Sequence, residues 1–339
     1  MRNGSEWVYG PGDLAEDGWE SVVDARIPGW QHTGLRVAEL DGSADSGATV
    51  ALAAGDVERM IVPLAGSFTV EYDEQGAATA SQVLAGRASV FDGPTDVLYL
   101  GAGTSATIGG HGRVAVTEAV TAERRPAAYL PSSAVPVELR GGGQSSRQVH
   151  NFGVPGALDA VKLIACEVIT PAGNWSSYPP HKHDEHRPGV ESRLEEIYYF
   201  ETAVTRGADA PAEAAPFAVF ATYSSDERPI AIDARVGSGD IALVPHGYHG
   251  PAVAAPGYDL YYLNVMAGPD AERSWLITDD PAHGWVRRTW DADGMDARLP
   301  YASTDSAAST GSTASTDTTA STDTIASTDT TASTEGAPL

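Results

Sequence analysis

The sequence predicts an all-β protein built as two barrels or sandwiches in tandem, and three observations carry that reading. Long segments with a 3.6-residue apolar period are scarce. Short runs rich in Val, Ile, Tyr and Phe alternate with Gly, Pro and Asp, the pattern of strands joined by tight turns. The two halves also share a plan. GDVERMIVPLAGSFTVEY and then GRASVFDGPTDVLYLGAGTSATI occur in the first; ESRLEEIYYFETAV and then GSGDIALVPHGYHGPAVAAPGYDLYYLNV occur in the second. A chain of 339 residues is long enough for two such domains.

Taken in order, the N-terminal MRNGSEWVYGPGDLAEDGWE has no apolar core of a signal peptide, and no stretch of about 18 apolar residues occurs anywhere. A cytoplasmic protein is expected. In the first half, Arg59–Leu64, Gly66–Tyr72, Ala88–Phe91 and Asp96–Leu100 are expected strands. The junction falls near Pro131–Arg140, giving an N-terminal domain over 1–135 and a C-terminal domain over 136–301. From Ala302 onward the chain is Ser, Thr, Ala and Asp with a six-residue repeat (ASTDTT, ASTDTI, ASTDTT), five acids and no base. Such a segment has almost nothing to bury against its ordering entropy, so 302–339 is expected to be a disordered tail.

Charge narrows the partners. There are 21 basic and 46 acidic residues, a formal net charge of −25, and the tail holds only five of those acids. The acidity therefore belongs to the folded part. It argues against nucleic acid, which needs clustered Lys and Arg, and against anionic membrane surfaces. Cys166 is the one cysteine, which excludes an intrachain disulfide framework and any Cys-rich metal site.

The histidines carry the chemistry. His181 and His183, in PPHKH, are two apart, so on a strand they point to one face and can share a metal ion. In LEEIYYF, alternation puts Glu196 with Tyr198 on one face and Glu195 with Tyr199 on the other. A carboxylate among strand-forming aromatics is costly to bury unless it binds something. PHGYH offers His246 and His249. Three histidines and a carboxylate suit Zn, Fe, Mn, Co or Ni, and spacing does not choose among them. His32, His111 and His283 are isolated, and His186 sits in a polar stretch expected to be solvated.

The order HxH, Glu, His between short strands resembles the cupin superfamily. NWSSYPPHKHD, LEEIYYF, GYHGP and PGYDLYYLNVMAGP resemble, more closely, the 5-deoxy-glucuronate isomerase family of bacterial myo-inositol catabolism. This is a two-cupin family related to 5-dehydro-4-deoxy-glucuronate isomerase. The similarity runs from about Trp7 to Trp285 and is stronger in the second half. The resemblance implies tandem cupin barrels and one divalent ion per chain, zinc foremost, held by His181, His183, Glu196 and His249. It leaves Glu195 and His246 outside the site. The 12 residues between His183 and Glu196 depart from the general cupin pattern, where the gap is about three or four, and are expected to shape the pocket mouth. The first half lacks the ligand set, with Arg59 falling near the position of Glu196, so its barrel is expected to be metal-free, supplying packing area or a homo-oligomer interface.

The implied reaction is conversion of 5-deoxy-D-glucuronate to 5-dehydro-2-deoxy-D-gluconate, a small sugar acid, through a metal-stabilised enediol. Proton transfer between C2 and C1 then needs a base. Tyr198, Asp259 and Tyr261 are the candidates. An arginine is expected to clamp the substrate carboxylate, because alternation turns Lys182 away from the metal. Two rival readings are a cupin dioxygenase using Fe and O2, and a non-catalytic sugar-binding cupin.

Overall fold

The computed structural model describes residues 6–42, 48–75, 77–225 and 228–302. The tail expected over 302–339 lies outside them except for Ala302. Among the described residues no helix is long and apolar enough to cross a membrane.

Two antiparallel β assemblies are built on one strand order. In the first, Val57–Glu74 lies between Thr104–Val120 and Val97–Leu100, and Thr33–Asp41 follows beyond Thr104–Val120. In the second, Glu195–Val204 lies between Tyr258–Ala267 and Ile241–Val244, and Ile164–Thr170 follows beyond Tyr258–Ala267. Register repeats as well. Glu58 pairs with Ala119 and Arg59 with Leu100; Glu195 pairs with Ala267 and Glu196 with Val244. Arg59 therefore stands where Glu196 stands in the second barrel. A further sheet closes the second barrel, ordered Arg228–Val236, Ala218–Ser225, Tyr248–Ala254, His181–Lys182, Thr278–Asp279.

The central strands are nearly continuous in apolar residues because both of their faces are buried. Alternation splits each strand between two cores. Ile61, Phe68 and Ile108 fill the first barrel; Tyr198, Phe200, Phe220 and Tyr262 fill the second. Their neighbours Met60, Tyr199, Tyr261 and Leu263 meet, with Trp30 and Phe152, in a third core between the barrels. At about 25 cal/mol per Å² of apolar surface, this shared core makes separation of the halves strongly unfavourable.

Buried carboxylates stitch that interface with reciprocal logic. Glu195 accepts N–H bonds from His32 (2.5 Å) and Thr33 (2.6 Å) at the entry to the first barrel's strand Thr33–Asp41. Glu58 accepts them from Val161, Lys162 and Leu163 (2.6–2.8 Å) at the entry to Ile164–Thr170. Each barrel thus lends a glutamate to the same place in the other.

Three sequence expectations are revised here. Arg59–Leu64 and Gly66–Tyr72 are one strand, Val57–Glu74, with register shifts between Pro63 and Ala65 on one neighbour and between Gly66 and Phe68 on the other, Gly66 taking φ +89°. Ala88–Phe91 is a turn, its apolar character explained by Val90 and Phe91 packing into the shared core. Val8–Tyr9 joins the second barrel's sheet, on Ile241 and Ala242, although it opens the chain.

Candidate metal centre

Two strands and the link after one of them deliver the histidines. His181 and His249 are directly paired across His181–Lys182 and Tyr248–Ala254, and His183 follows two residues after His181 on the same face. Gly250 permits the close approach: at φ +89°, a Cβ there would lie 1.8 Å from the Ser177 carbonyl oxygen. The ligand atoms of His181, His183 and His249 lie within 4.8 Å of one another, all buried. Glu196 completes the set, with Oε2 3.0 Å from Nε2 of both His183 and His249.

All three rings are oriented alike. Nδ1 of His181, His183 and His249 each lies 3.2 Å from a main-chain carbonyl, those of Pro179, Leu194 and Gly247. A carbonyl only accepts, so Nδ1 carries a proton and Nε2 turns inward, where that of His183 meets the Glu196 carboxylate. That is how ligating imidazoles are held. His249 Nε2 is buried and, despite its nearness to Glu196, makes no well-aligned hydrogen bond. An orphaned acceptor beside two more imidazoles and a carboxylate fits a divalent cation.

The electrostatics agree. Burial and the two neighbouring imidazoles push His181 well below its ordinary pKa. Burial opposes charge on Glu196 too, but His249 and His183 outweigh it and keep the carboxylate ionised. Burial likewise disfavours a charged His183, and there Glu196 wins and raises its pKa. Tyr198 stands against the cluster, its ring 6.2 Å from that of His249 and its hydroxyl 2.8 Å from Ser177 Oγ. Burial first, and Glu196 second, drive its pKa well up, so it remains a phenol.

Comparison with known proteins identifies the family. The KduI/IolB family profile matches residues 10–286. The chain belongs to the KduI/IolB family. The 5-deoxy-glucuronate isomerase of Geobacillus thermodenitrificans (strain NG80-2) is 48% identical over 161 residues, 48% of this chain and 54% of that one. The chain thus spans about half the length of that relative in the match. The 5-deoxy-glucuronate isomerase of Lacticaseibacillus casei is 35% identical over 267 residues, 78% of this chain and 91% of that one. Among solved structures, an IolB-like protein from Salmonella typhimurium LT2 superposes with a TM-score of 0.72 at 31% identity, covering 83% of this chain and 99% of that one. A variant of Bacillus subtilis oxalate decarboxylase gives 0.53 at 12% identity, over 82% of this chain and 80% of that one, which speaks to the tandem cupin fold alone.

Within this KduI/IolB chain the remaining candidates lie apart from the cluster. Tyr261 faces the other barrel and donates to Glu167 at 2.7 Å. Asp259, on the same face, accepts from the Ala172 N–H (2.9 Å) and Thr205 Oγ1 (3.0 Å). Their strand, Tyr258–Ala267, is buried on both sides, and Leu260, Tyr262, Asn264 and Met266 are the residues that enter the barrel. His246 sits near the surface with Nε2 3.3 Å from the Pro229 carbonyl. Glu195 turns to the first barrel, as described above.

The stretch between His183 and Glu196 folds as a hairpin, Asp184–Arg187 against Glu191–Arg193. Its buried end is ionic: Lys182 Nζ lies 2.8 Å from Asp184 and 2.9 Å from Glu191. Burial raises the pKa of Asp184, but Lys182 and the Gly247 N–H overcome it and bring it down to about 2. His186 is half-exposed and meets Asp270 at 3.0 Å, so it is tethered rather than free in solvent.

One feature had little local signal in the sequence. After the second barrel the chain returns as Thr278–Asp279 along His181–Lys182, then through Gly284–Thr289 and Trp290–Asp293. Arg287 grips Asp279 with two nitrogens, at 2.5 and 2.7 Å, and places this strap beside the histidines. The dense HGWVRRTW run, unusual for a surface loop, was the available clue.

Proposed function

We propose that the protein is an aldose–ketose isomerase that converts 5-deoxy-D-glucuronate to 5-dehydro-2-deoxy-D-gluconate, in the cytoplasm, with zinc held by His181, His183, Glu196 and His249. The observation that carries the reading is the convergence of three Nδ1-anchored imidazoles and one ionised carboxylate inside the second barrel of a KduI/IolB chain. A divalent ion bound there supplies Lewis acidity, which polarises a carbonyl and acidifies the neighbouring C–H. Zinc is assigned from the donor set, which Fe, Mn, Co and Ni share.

The chain's own residues have separate tasks. Glu196 sets the charge of the centre, and the three carbonyls at Pro179, Leu194 and Gly247 fix the rings. Tyr198, a buried phenol held by Ser177, is placed to donate a hydrogen bond to a substrate oxygen as negative charge builds there.

The test is incubation of the metal-loaded protein with 5-deoxy-D-glucuronate, followed by NMR and oxygen electrode. Signals of the C1 aldehyde and its hydrate should give way to a ketone of equal mass, with no oxygen consumed. Oxygen uptake would favour a dioxygenase, and an unchanged spectrum with saturable binding would favour a sugar-binding protein.

A further inference from the structure

The geometry points to Arg147 as the residue that receives the carboxylate end of the substrate inside the second barrel, across from the His–Glu cluster, and this assignment rests on the isomerase reading above. Arg147 opens the strand Arg147–Gly153. On that strand Val149 packs in the second barrel's core and Phe152 in the core between the barrels, while His150 meets the interface carboxylate Glu167. By alternation Arg147 shares Val149's face and enters the barrel that holds Glu196, Tyr198 and Tyr262.

Its bonding sets it apart. Arg59, Arg87, Arg113 and Arg140, all mostly buried, each meet a carboxylate: Glu118, Glu167, Glu20 and Glu138. Arg273 donates to three main-chain carbonyls. Arg147 is 5% exposed, and among the described residues no carboxylate lies within ion-pair distance of it. Nη1 donates to the Ser145 carbonyl at 2.9 Å, and its Cζ lies 5.0 Å from the centre of the Trp290 ring. Burying a guanidinium with no carboxylate bonded to it is unfavourable; Glu138, ion-paired to Arg140, offsets part of the charge from a distance, while Arg140 and Arg287 add to the positive field. Burial accordingly brings its pKa down to about 9. An anion entering the barrel would relieve this.

The position suits a molecule with a carboxylate at one end and the reacting carbonyl at the other. By register, Tyr262 is level with Val149 through Val168 and stands four residues from Met266, the partner of Glu196, so on the barrel's inner face it lies between Arg147 and the histidine cluster. Arg287, committed to Asp279, lies against the same Trp290 ring, 5.1 Å from its centre, and its charge reaches His181. Between the two ends are buried donors without partners. Asn264 Nδ2 is one, on the interior face between Tyr262 and Met266, and Trp290 Nε1 is another. Such donors match the hydroxyl groups of a sugar chain.

The experiment compares 5-deoxy-D-glucuronate with its uncharged carboxamide, using the full-length metal-loaded protein and its Arg147→Gln and Arg147→Lys variants. Wild type should prefer the acid by about 100-fold in kcat/KM, the scale of a buried charge pair. Arg147→Gln should lose that preference, mostly through a higher KM for the acid. Arg147→Lys should restore part of it, since a point charge replaces a two-pronged one. Calorimetry with the C1-reduced acid and its amide gives a readout without turnover, and the same pattern is expected. Equal losses on acid and amide would make Arg147 a structural support for Trp290 and overturn the assignment, as would a wild type indifferent to the carboxylate. If the Gln variant does not fold, the acid-to-amide ratio of the Lys variant decides. If wild type leaves 5-deoxy-D-glucuronate unconverted, the isomerase reading falls, and the calorimetric preference for acid over amide still decides whether Arg147 binds a carboxylate.

Discussion

The two barrels share strand order, register and even the glutamate each sends to the other, yet differ at one decisive position. In the second barrel Glu196 faces three imidazoles. In the first, Arg59 occupies the matching place, and its nitrogens reach Glu118 (2.8 Å) and the carbonyls of Thr104 and Ala53 (3.0 Å each). One buried charge sits among imidazoles that, on the proposed reading, would share a divalent ion with it; the other is closed by the chain's own carboxylate and carbonyls. The lesson is that the scaffold tolerates a charge of either sign at this point, and that function follows from whether the surrounding donors leave it unfinished.

The largest expected effect breaks the second barrel's side of this comparison. Glu196→Gln preserves volume while removing the charge that offsets the cation. Turnover and metal affinity should fall by at least the 10–100-fold typical of altering even the partners of metal ligands, with metal content per chain reduced and melting little changed. His249→Ala should do the same, and His246→Ala should be nearly silent. Metal analysis beside NMR rates for the three variants checks this; a silent His249→Ala with a damaged His246→Ala would reverse the assignment in the PHGYH turn.

Arg59→Gln should give the opposite phenotype. It leaves Glu118 with the more exposed Arg36 at 3.2 Å as its remaining ion-pair partner. Stability should drop by about 3 kcal/mol, the lower end for breaking a buried pair, while kcat and metal content stay near wild type. Urea denaturation followed by fluorescence measures it. A large loss of turnover without loss of stability would mean that the first barrel takes part in the chemistry.

The reciprocal glutamates sharpen the comparison further. Glu58→Gln and Glu195→Gln each weaken three or more hydrogen bonds to a buried carboxylate, and a cost of about 2 kcal/mol is expected for both. Near-equal losses in urea would show that the two barrels brace each other symmetrically. If only Glu195→Gln matters, the clamp works in one direction.

This internal repetition explains what could be read from the sequence and what could not. His181 and His183 were legible because a two-residue spacing has one meaning on a strand. Alternation separated Glu195 from Glu196 but did not say which faced the barrel; the resemblance made that choice. Asp259 and Tyr261 show the cost of the same ambiguity. Their strand has two apolar faces, one toward the barrel interior and one toward the other barrel, and the sequence pattern does not distinguish two kinds of inside. Ala88–Phe91 looked like a strand because burial in the shared core demands apolar residues from a turn as well. Arg147 and the Trp290 strap are brought together from opposite ends of the second domain, so no local spacing announces them.

The interface also sets an acid limit on stability. Glu167 is buried with Arg87 at 2.6 Å and His150 at 2.7 Å; burial raises its pKa, but these partners overcome that and lower it to about 2. A carboxylate depressed in the folded state stabilises fully above its unfolded pKa, near 4.5, and loses that contribution as pH falls toward 2. Melting temperature should therefore decline over this range, and less steeply in Glu167→Gln. Parallel slopes would place the acid sensitivity elsewhere, for example at Asp184.

The smallest expected effect comes from the C-terminal end. Tyr301 belongs to the fold: its N–H donates to Gln148 Oε1 at 2.6 Å, its carbonyl accepts from Gln148 Nε2 at 3.0 Å, and its ring packs on the core between the barrels. Gln148 in turn lies 2.7 Å from His150, which links Tyr301 to the Glu167 network. Residues 303–339 have a composition with little to bury. A chain ending at Ala302 should thus melt and turn over as the full-length protein does, within a degree or two. A chain ending at Pro300 removes both Gln148 bonds and uncovers part of the shared core, and should lose about 1–2 kcal/mol, a drop of a few degrees. Calorimetric melting of the two truncations side by side makes the comparison. If the longer one already melts several degrees low, the repeat segment contributes to stability, and the fold extends beyond the residues that its composition marks as its end.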